Sequence, residues 1–471
     1  MAHVLISAAH KSSGKTTVTV GLCRALGRRG LKVQPFKKGP DYIDPMWLGM
    51  AAGRPCHNLD FYTMTRPEIL ATFSRQAWGA DLSLVEGNKG LYDGLDLEGS
   101  NSNAALAALL GAPVVLVIDA RGMTRGIAPL ILGYQAFDPG VNIAGVILNK
   151  IGGSRHETKL RAIIEHYTDV PVLGAVHHDS DLEIAERHLG LVPSNESGDA
   201  RSQVERLADT VARQVDLDRL LEVARRAVPL TAAPVPRPAP SQPEVRIGIA
   251  RDSAFGFYYP GDLEALEAAG ARLVPFDTMT APGLPEVDGL FIGGGFPETH
   301  MAALEANVPL REAIRAAIAG GLPTYAECGG LMYLARSLTW QGVTCEMAGA
   351  IPGDVVMHKA PQGRGYVRLK ETGANPWPAL GAGAGGAGTV IPAHEFHYSS
   401  LENLEGDPIF AYEVLRGTGI DGRHDGLVLG NLLASYAHLR HVEGNRWAQR
   451  FVAFVRAARD RARAGKDRRA G

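Results

Sequence analysis

The feature that most restricts what this chain can fold into is a repeated alternation of short, uninterrupted Val/Ile/Leu runs with helical patterns, broken once by a stretch rich in Pro and Ala. The runs before the break are Val4–Ala9 (VLISAA), Lys32–Phe36 (KVQPF), Leu82–Glu86 (LSLVE), Pro113–Ala120 (PVVLVIDA) and Ile143–Asn149 (IAGVILN). Continuous rather than alternating apolar runs are what strands buried on both faces require, so each reads as part of a parallel sheet covered by helices. The break is TAAPVPRPAPSQPE, Thr231–Glu244. It lacks apolar periodicity and reads as a semi-rigid extended linker. The alternation then resumes with Val245–Ala250, Arg272–Phe276, Asp288–Gly295 and Pro323–Glu327. Farther on, GTVIPAHEFHYSS and AYEVLRG suggest antiparallel strands, and Gly381–Gly388 reads as a Gly/Ala loop. The expected organisation is an α/β domain over 1–229, a linker over 230–244, a second α/β domain over 245–458 and a basic tail over 459–471 that frays after a terminal helix.

Such a chain carries small-molecule chemistry more readily than nucleic-acid or membrane binding. Its 471 residues include 48 Lys and Arg against 50 Asp and Glu, a net charge of −2, and create no field that would gather polyanions. Met1–Ala9 has no basic region leading into an apolar core, and no apolar stretch is long enough to span a bilayer. A cytoplasmic protein is expected. The four cysteines, Cys23, Cys56, Cys328 and Cys345, are scattered, with neither a disulfide framework nor a CxxC pair. Cys23 and Cys345 fall in a helical and a strand pattern and read as core. Cys56-His57 is too sparse for a metal site.

The first run leads into Ala9-His10-Lys11-Ser12-Ser13-Gly14-Lys15-Thr16-Thr17 and then a helical pattern. That order is the one in which backbone N–H groups at a helix start wrap phosphates, a Lys neutralises charge and a Thr reaches Mg²⁺. Ser12, Ser13, Gly14, Lys15, Thr16 and Thr17 are therefore the expected ATP-binding residues, although Ala9 stands where the strict pattern has its first glycine. The turn after the second run, PFKKGPDYIDP, brings Lys37, Lys38, Asp41, Tyr42 and Asp44. In a nucleotide site such residues bind Mg²⁺ or hold an anionic substrate against the γ-phosphate. Asp41 is expected with Thr16 and Glu86 at the metal; Lys37, Lys38, Tyr42 and Asp44 are expected at the substrate. VEGNKGLYDG places Glu86, and beyond it Tyr92 and Asp93, past the carboxyl end of a strand, where ligands bind in open α/β sheets. Asn149 and Lys150 close another strand; Asn149 reads either a nucleobase edge or caps a turn.

In the second half, PTYAECGGLM passes from a buried strand into a helix with Cys328 at the turn, which exposes the thiol and favours the nucleophilic thiolate. FIGGGFPE ends another strand, so the N–H groups around Gly294 and Gly295, with Gly329 beside the thiol, can form an oxyanion hole or glutamine pocket. A nucleophilic Cys needs a base, and His438 in SYAHL is the candidate; a packed core histidine is the competing reading. His394-Glu395-Phe396-His397-Tyr398 invites a metal reading, but alternate strand residues face opposite sides, so substrate contact or interdomain packing is preferred.

Taken together, GKTT, KKGPDYIDP, VEGNKGLYDG, GGGFPE, AECGG, HEFHYS and SYAHL resemble the cobyrinic acid a,c-diamide synthase family over nearly the whole chain. The resemblance implies a P-loop synthetase domain of dethiobiotin-synthetase type joined to a class I glutamine amidotransferase domain. It implies Cys328 as glutaminase nucleophile, His438 as its partner, and Lys15, Thr16, Asp41 and Glu86 in an ATP–Mg²⁺ site. The reaction would activate a tetrapyrrole carboxylate as an acyl phosphate and convert it to an amide with ammonia from glutamine, in a monomer or homodimer. Departures are Lys38 and Asn88-Lys89 in place of apolar or small residues, Ala326 two before the nucleophile, and Leu439-Arg440 where many class I amidotransferases have Pro-Glu. The added cations suit a polycarboxylate macrocycle, and the FKKGPDYIDPMW and SAAHKSSGKTT segments look closer to siroheme amidases than to corrinoid diamide synthases. A P-loop switch ATPase with a silent glutaminase-like domain is the alternative; release of glutamate would separate the two.

Overall fold

The computed structural model describes residues 1–180, 184–187, 190–230, 242–380 and 385–470. The chain forms two compact units, Met1–Arg237 and Pro238–Gly471. Most of the expected linker, and four residues of the Gly/Ala loop, lie outside the described residues.

The first unit runs β1 (His3–Ala8), α1 (Lys15–Arg28), β2 (Val33–Lys38), α2 (Ile43–Ala52), β3 (His57–Leu59), α3 (Arg66–Ala77), β4 (Leu82–Glu86), α4 (Asn103–Leu110), β5 (Val114–Asp119), α5 (Ile127–Phe137), β6 (Ile143–Ile151), α6 (Ser154–Tyr167) and β7 (Val172–His177). The two-residue strands β8 (Glu186–Arg187) and β9 (Gly190–Leu191), then α7 (Ala200–Gln214) and α8 (Leu217–Arg225), complete it. Strands β1 to β7 make one parallel sheet in the order β3-β2-β4-β1-β5-β6-β7. The apolar runs are its interior: every residue of β1 and β4 is buried. Strand β1 lies between β4 and β5, so successive crossovers leave it in opposite directions and open a crevice beyond its carboxyl end. The loop at Ala9–Gly14 opens onto that crevice. Register places Lys37 opposite Glu86 on neighbouring strands.

The second unit runs β10 (Val245–Ala250), β11 (Phe255–Phe257), α9 (Pro260–Ala268), β12 (Ala271–Phe276), β13 (Gly289–Ile292), β14 (Gly294–Gly295), α10 (Met301–Ala306), α11 (Val308–Ala319), β15 (Thr324–Glu327) and α12 (Gly329–Leu334). There follow β16 (Ala335–Trp340), β17 (Val343–Glu346), β18 (Ile351–Met357), β19 (Gly363–Glu371), β20 (Val390–His397), β21 (Ser399–Glu402), β22 (Ile409–Arg416), β23 (His424–Leu429), β24 (Leu432–Ser435) and α13 (Trp447–Ala470). The main sheet has the order β12-β10-β13-β15-β24-β23-β22-β19-β20, parallel from β12 to β24 and antiparallel beyond. A four-stranded sheet, β17-β16-β18-β21, packs beside it. Three neighbouring parallel strands, β13, β15 and β24, thus point their carboxyl ends the same way. The segment after Arg459, expected to fray, is helical as far as Ala470 because α13 continues through it. No helix among the described residues is long and apolar enough to cross a membrane.

Candidate functional site

The first site is built at the carboxyl ends of β1, β2, β4 and β6. Ser12 and Gly14 take left-handed backbone conformations, φ 61° and 85°, immediately before α1, which curls successive N–H groups into an anion-binding concavity. Ser13 does not present its hydroxyl: it is buried and donates to the His10 carbonyl at 2.8 Å. Asn149 donates from Nδ2 to the Ser13 carbonyl at 2.9 Å, and Lys150 donates to the Ser12 carbonyl at 3.2 Å. Asn149 therefore clamps the loop from the neighbouring strand end. A Cβ on Gly14 would collide with that same amide.

Lys37 is the electrostatic centre. Its ammonium donates to Asp44 Oδ2 at 2.5 Å and Glu86 Oε1 at 2.6 Å, and lies 3.8 Å from Asp41 Oδ2. Burial opposes its charge, but those three carboxylates outweigh burial and hold Lys37 protonated well above the ordinary lysine range. Thr16 Oγ1 joins the group, donating to Glu86 at 3.0 Å and Asp44 at 3.3 Å. Lys15 and Lys38 respond oppositely: burial, with nearby cations adding to it, pushes both down to about 8. Lys15 donates to the Lys89 carbonyl and Lys38 to Asn88 Oδ1. A cavity of about 730 Å³ opens over these groups, lined among others by Ser12, Gly14, Lys15, Thr16, Thr17, Lys37, Asp44, Lys89 and Asn149.

Asp44, expected at the substrate, shares Thr16 and Lys37 with Glu86, whereas Asp41 accepts the amides of Ile43 and Asp44 at the start of α2. An Asp ahead of a helix with Pro at its third position signals such a turn cap. Tyr42 is buried before α2. Tyr92 donates to the Tyr134 carbonyl and packs on Tyr134 and Phe137, and Asp93 accepts the Gly90 amide. Among the described residues no group of three His, Cys, Asp or Glu is arranged as a metal site. The chemistry around Thr16 still suits Mg²⁺, which keeps several waters and takes one or two carboxylates. Glu86 Oε2 is buried without a hydrogen-bond partner, and a cation already sits between Glu86 and Asp44.

The second site lies at the ends of β13, β15 and β24. Cys328 follows β15 with φ 48°, a left-handed turn that a side-chain-bearing residue adopts only under constraint. Its amide donates to the Ser435 carbonyl of β24 at 2.7 Å. A Cβ on Gly329 would lie 2.9 Å from Gly295 N, and one on Gly330 would strike the Ile292 carbonyl, so the elbow closes only over glycines. Gly294 and Gly295 pair with β11, and a Cβ on Gly294 would stand 2.6 Å from His438 Cε1. His438 hydrogen-bonds Cys328. Burial disfavours its charge, but Cys328 and Glu327 overcome that and push His438 up to about 10. Its Nδ1 lies 3.5 Å from Glu327 Oε2.

The segment carrying His438 is fixed from several sides. Asp425 accepts Ser435 Oγ and the amides of Tyr436 and Ala437. His394 stacks on His438 with ring centres 4.9 Å apart and 15° between planes, and their backbones form an antiparallel bridge. His397 stacks on Tyr436 at 3.9 Å, and Glu395 accepts the amides of Thr418 and Gly419. His394, Glu395 and His397 are thus buried, with these partners inside the second unit. All four cysteines are buried, Cys328 included at 7% exposure, so the turn that was expected to expose its thiol instead encloses it between β13, β15 and β24. Glu327 was not foreseen; the available signal was an acid closing a buried apolar strand, the same signal that marks Glu86.

Comparison with known proteins agrees with this two-site geometry. Residues 5–192 match the CobQ/CobB/MinD/ParA nucleotide binding domain, and residues 246–446 match the CobB/CobQ-like glutamine amidotransferase domain. The cobyrinate a,c-diamide synthase of Magnetococcus marinus is 49% identical over 96% of this chain and 97% of its own length. The chain belongs to the cobyrinate a,c-diamide synthase family. Other relatives with that name come from Methanosarcina acetivorans, 44% identical over 93% of this chain and 92% of that protein, and Archaeoglobus fulgidus, 41% identical over 95% and 96%. Membership makes the protein an amide-forming ligase with glutamine as amido donor. Within this family the Cys328–His438 pair falls inside the amidotransferase match, and the Lys15–Lys37–Glu86 cluster falls inside the nucleotide-binding match.

Proposed function

We propose that the protein amidates peripheral carboxylates of a tetrapyrrole, with ATP as activating co-substrate, Mg²⁺ as metal and cobyrinic acid as the first substrate to test. The observation that supports this most is the likeness to cobyrinate a,c-diamide synthases across both units, with each unit gathering its reactive side chains at the carboxyl edge of a parallel sheet. In this reading the substrate carboxylate attacks the γ-phosphorus, ADP leaves, ammonia displaces phosphate from the acyl phosphate, and the amide remains. A carboxylate is a poor electrophile, which is why activation is required.

Lys15 and the N–H groups at the start of α1 hold the phosphates; a bound phosphate raises the proton affinity that burial lowers in Lys15. Thr16, Asp44 and Glu86 would hold Mg²⁺, which would supply positive charge to the triphosphate. Lys37, released from Asp44 and Glu86 in part, stabilises the transferred phosphoryl group. Lys89, which lines the cavity, presents a cation to the other carboxylates of the macrocycle, while the buried Lys38 orients Asn88 beside it. At the second site Cys328 attacks the glutamine amide carbon, His438 gives its proton to the departing ammonia, and water then hydrolyses the thioester to glutamate.

Mass spectrometry after incubation with ATP, Mg²⁺, glutamine and either cobyrinic acid or siroheme tests the proposal, because each carboxyl-to-amide exchange leaves a fixed mass change. Two exchanges on cobyrinic acid are expected. Amidated siroheme alone would move the assignment to siroheme, and ATP consumption without an amide from either would undo it in favour of a switch ATPase.

A further inference from the structure

The place two residues after His438, where many class I amidotransferases carry their acid, holds Arg440. A buried histidine with no acid behind it would be a weak general base, and its cationic form would be costly. Yet a carboxylate does reach His438, from an unexpected position in the chain: Glu327, the residue immediately before the nucleophile.

Glu327 and His438 are each 3% exposed, and Oε2 lies 3.5 Å from Nδ1. The other carboxylate oxygen is already fixed: Oε1 accepts Tyr325 Oη at 2.5 Å and the Leu439 amide at 2.9 Å. Because Leu439 follows His438, the same carboxylate grips the backbone of the histidine's own segment and faces its ring. The opposite side of the site is supplied by the thiol, which hydrogen-bonds His438. The remaining titratable neighbours oppose a cation. His394 stacks on the ring and stays neutral, its affinity for a proton lowered by burial first and then by His438 and Arg440. Among the described groups that face the ring, Glu327 is the one that favours the imidazolium without being the nucleophile.

We propose that Glu327 is the positioning acid of the glutaminase, holding the His438 imidazolium for protonation of the leaving ammonia. The acid thus sits on the strand that ends in the nucleophile rather than beyond the histidine. This rests on the glutaminase reading of Cys328.

The test compares E327Q and E327D with the wild-type full-length protein, measuring glutamine-driven synthesis, ammonia-driven synthesis and the pH profile of glutamine hydrolysis. A Gln side chain retains an acceptor for Tyr325 and the Leu439 amide and removes only the charge. E327Q is expected to lower the glutamine-driven kcat by about 10²- to 10⁴-fold, as loss of a triad acid does elsewhere. The glutamine KM and the ammonia-driven rate should be unaffected, and the basic limb of the hydrolysis profile should shift below the wild-type position. E327D keeps the charge and should keep the limb, with kcat between the two. The proposal is overturned if E327Q keeps the wild-type kcat, if both nitrogen sources fail together with the limb unmoved, or if E327D shifts the limb as E327Q does. Wild-type protein without any glutamine hydrolysis would instead overturn the glutaminase reading itself.

Discussion

Lys37 is a structural counter-ion that the proposed reaction also uses as a reagent. Its ammonium balances Asp44 and Glu86 at hydrogen-bonding distance, in a place where an unpaired carboxylate costs several kcal/mol. Lys37→Met removes that balance without removing bulk. The variant is expected to melt at a lower temperature than wild type in the absence of divalent ions, and to recover more of its melting temperature on Mg²⁺ addition, since the metal then supplies the missing charge. Synthesis should fall by about 100-fold or more with glutamine or ammonia alike, measured as amide formed per unit time. At this scale the sequence discloses residue types more readily than partners. Lys15, Glu86, Cys328 and His438 were singled out because each closes or follows a buried strand. Spacing alone does not say that Asp41 Oδ1 accepts two backbone amides while Asp44 Oδ2 meets Lys37 directly. Glu327 was passed over because an acid for His438 was sought after the histidine, whereas the sheet brings β15 beside β24.

Among elements, the parallel strands were the readable ones, because burial on both faces writes itself as an unbroken apolar run. Strand β4 matches its run residue for residue, and β10 does too. Strand β3 has only three residues, His57-Asn58-Leu59, too few for any pattern. The sheet β17-β16-β18-β21 was not foreseen either; β17 is mostly exposed, and its Val343-Thr344-Cys345-Glu346 shows little apolar repetition. The terminal helix α13 is held by a contact that no periodicity reveals. Arg450 forms a two-pronged ion pair with Glu371 of β19, at 2.6 and 3.1 Å, and donates to the carbonyls of Trp377 and Pro378. Both side chains are at most 2% exposed. Glu371→Gln leaves the guanidinium uncompensated and is expected to cost about 3–5 kcal/mol. Denaturant unfolding followed by tryptophan fluorescence checks this, because Trp377 and Trp447 report on that core; a cost under about 1 kcal/mol would place the pair among the weak ones.

For the whole molecule, the proposed reaction divides between the two units into steps with opposite pH requirements. In that proposal, glutamine-driven synthesis needs the His438 imidazolium to protonate departing ammonia. Because His438 is pushed up to about 10, that cation is present below this pH and is lost as pH rises through it. Ammonia-driven synthesis bypasses Cys328 and needs only the unprotonated amine, whose fraction grows with pH. The wild-type rate with glutamine is therefore expected to fall across pH 10, while the rate with ammonium salt rises until the first unit fails. Cys328→Ser should abolish the first curve and leave the second in place, since Ser at this elbow lacks the thiolate but disturbs no packing volume. Amide formed per unit time across the pH series, with each nitrogen source, is the measurement. If Cys328→Ser suppressed both curves equally, ammonia would not enter the synthetase step independently, and the division of labour between the two units would have to be abandoned.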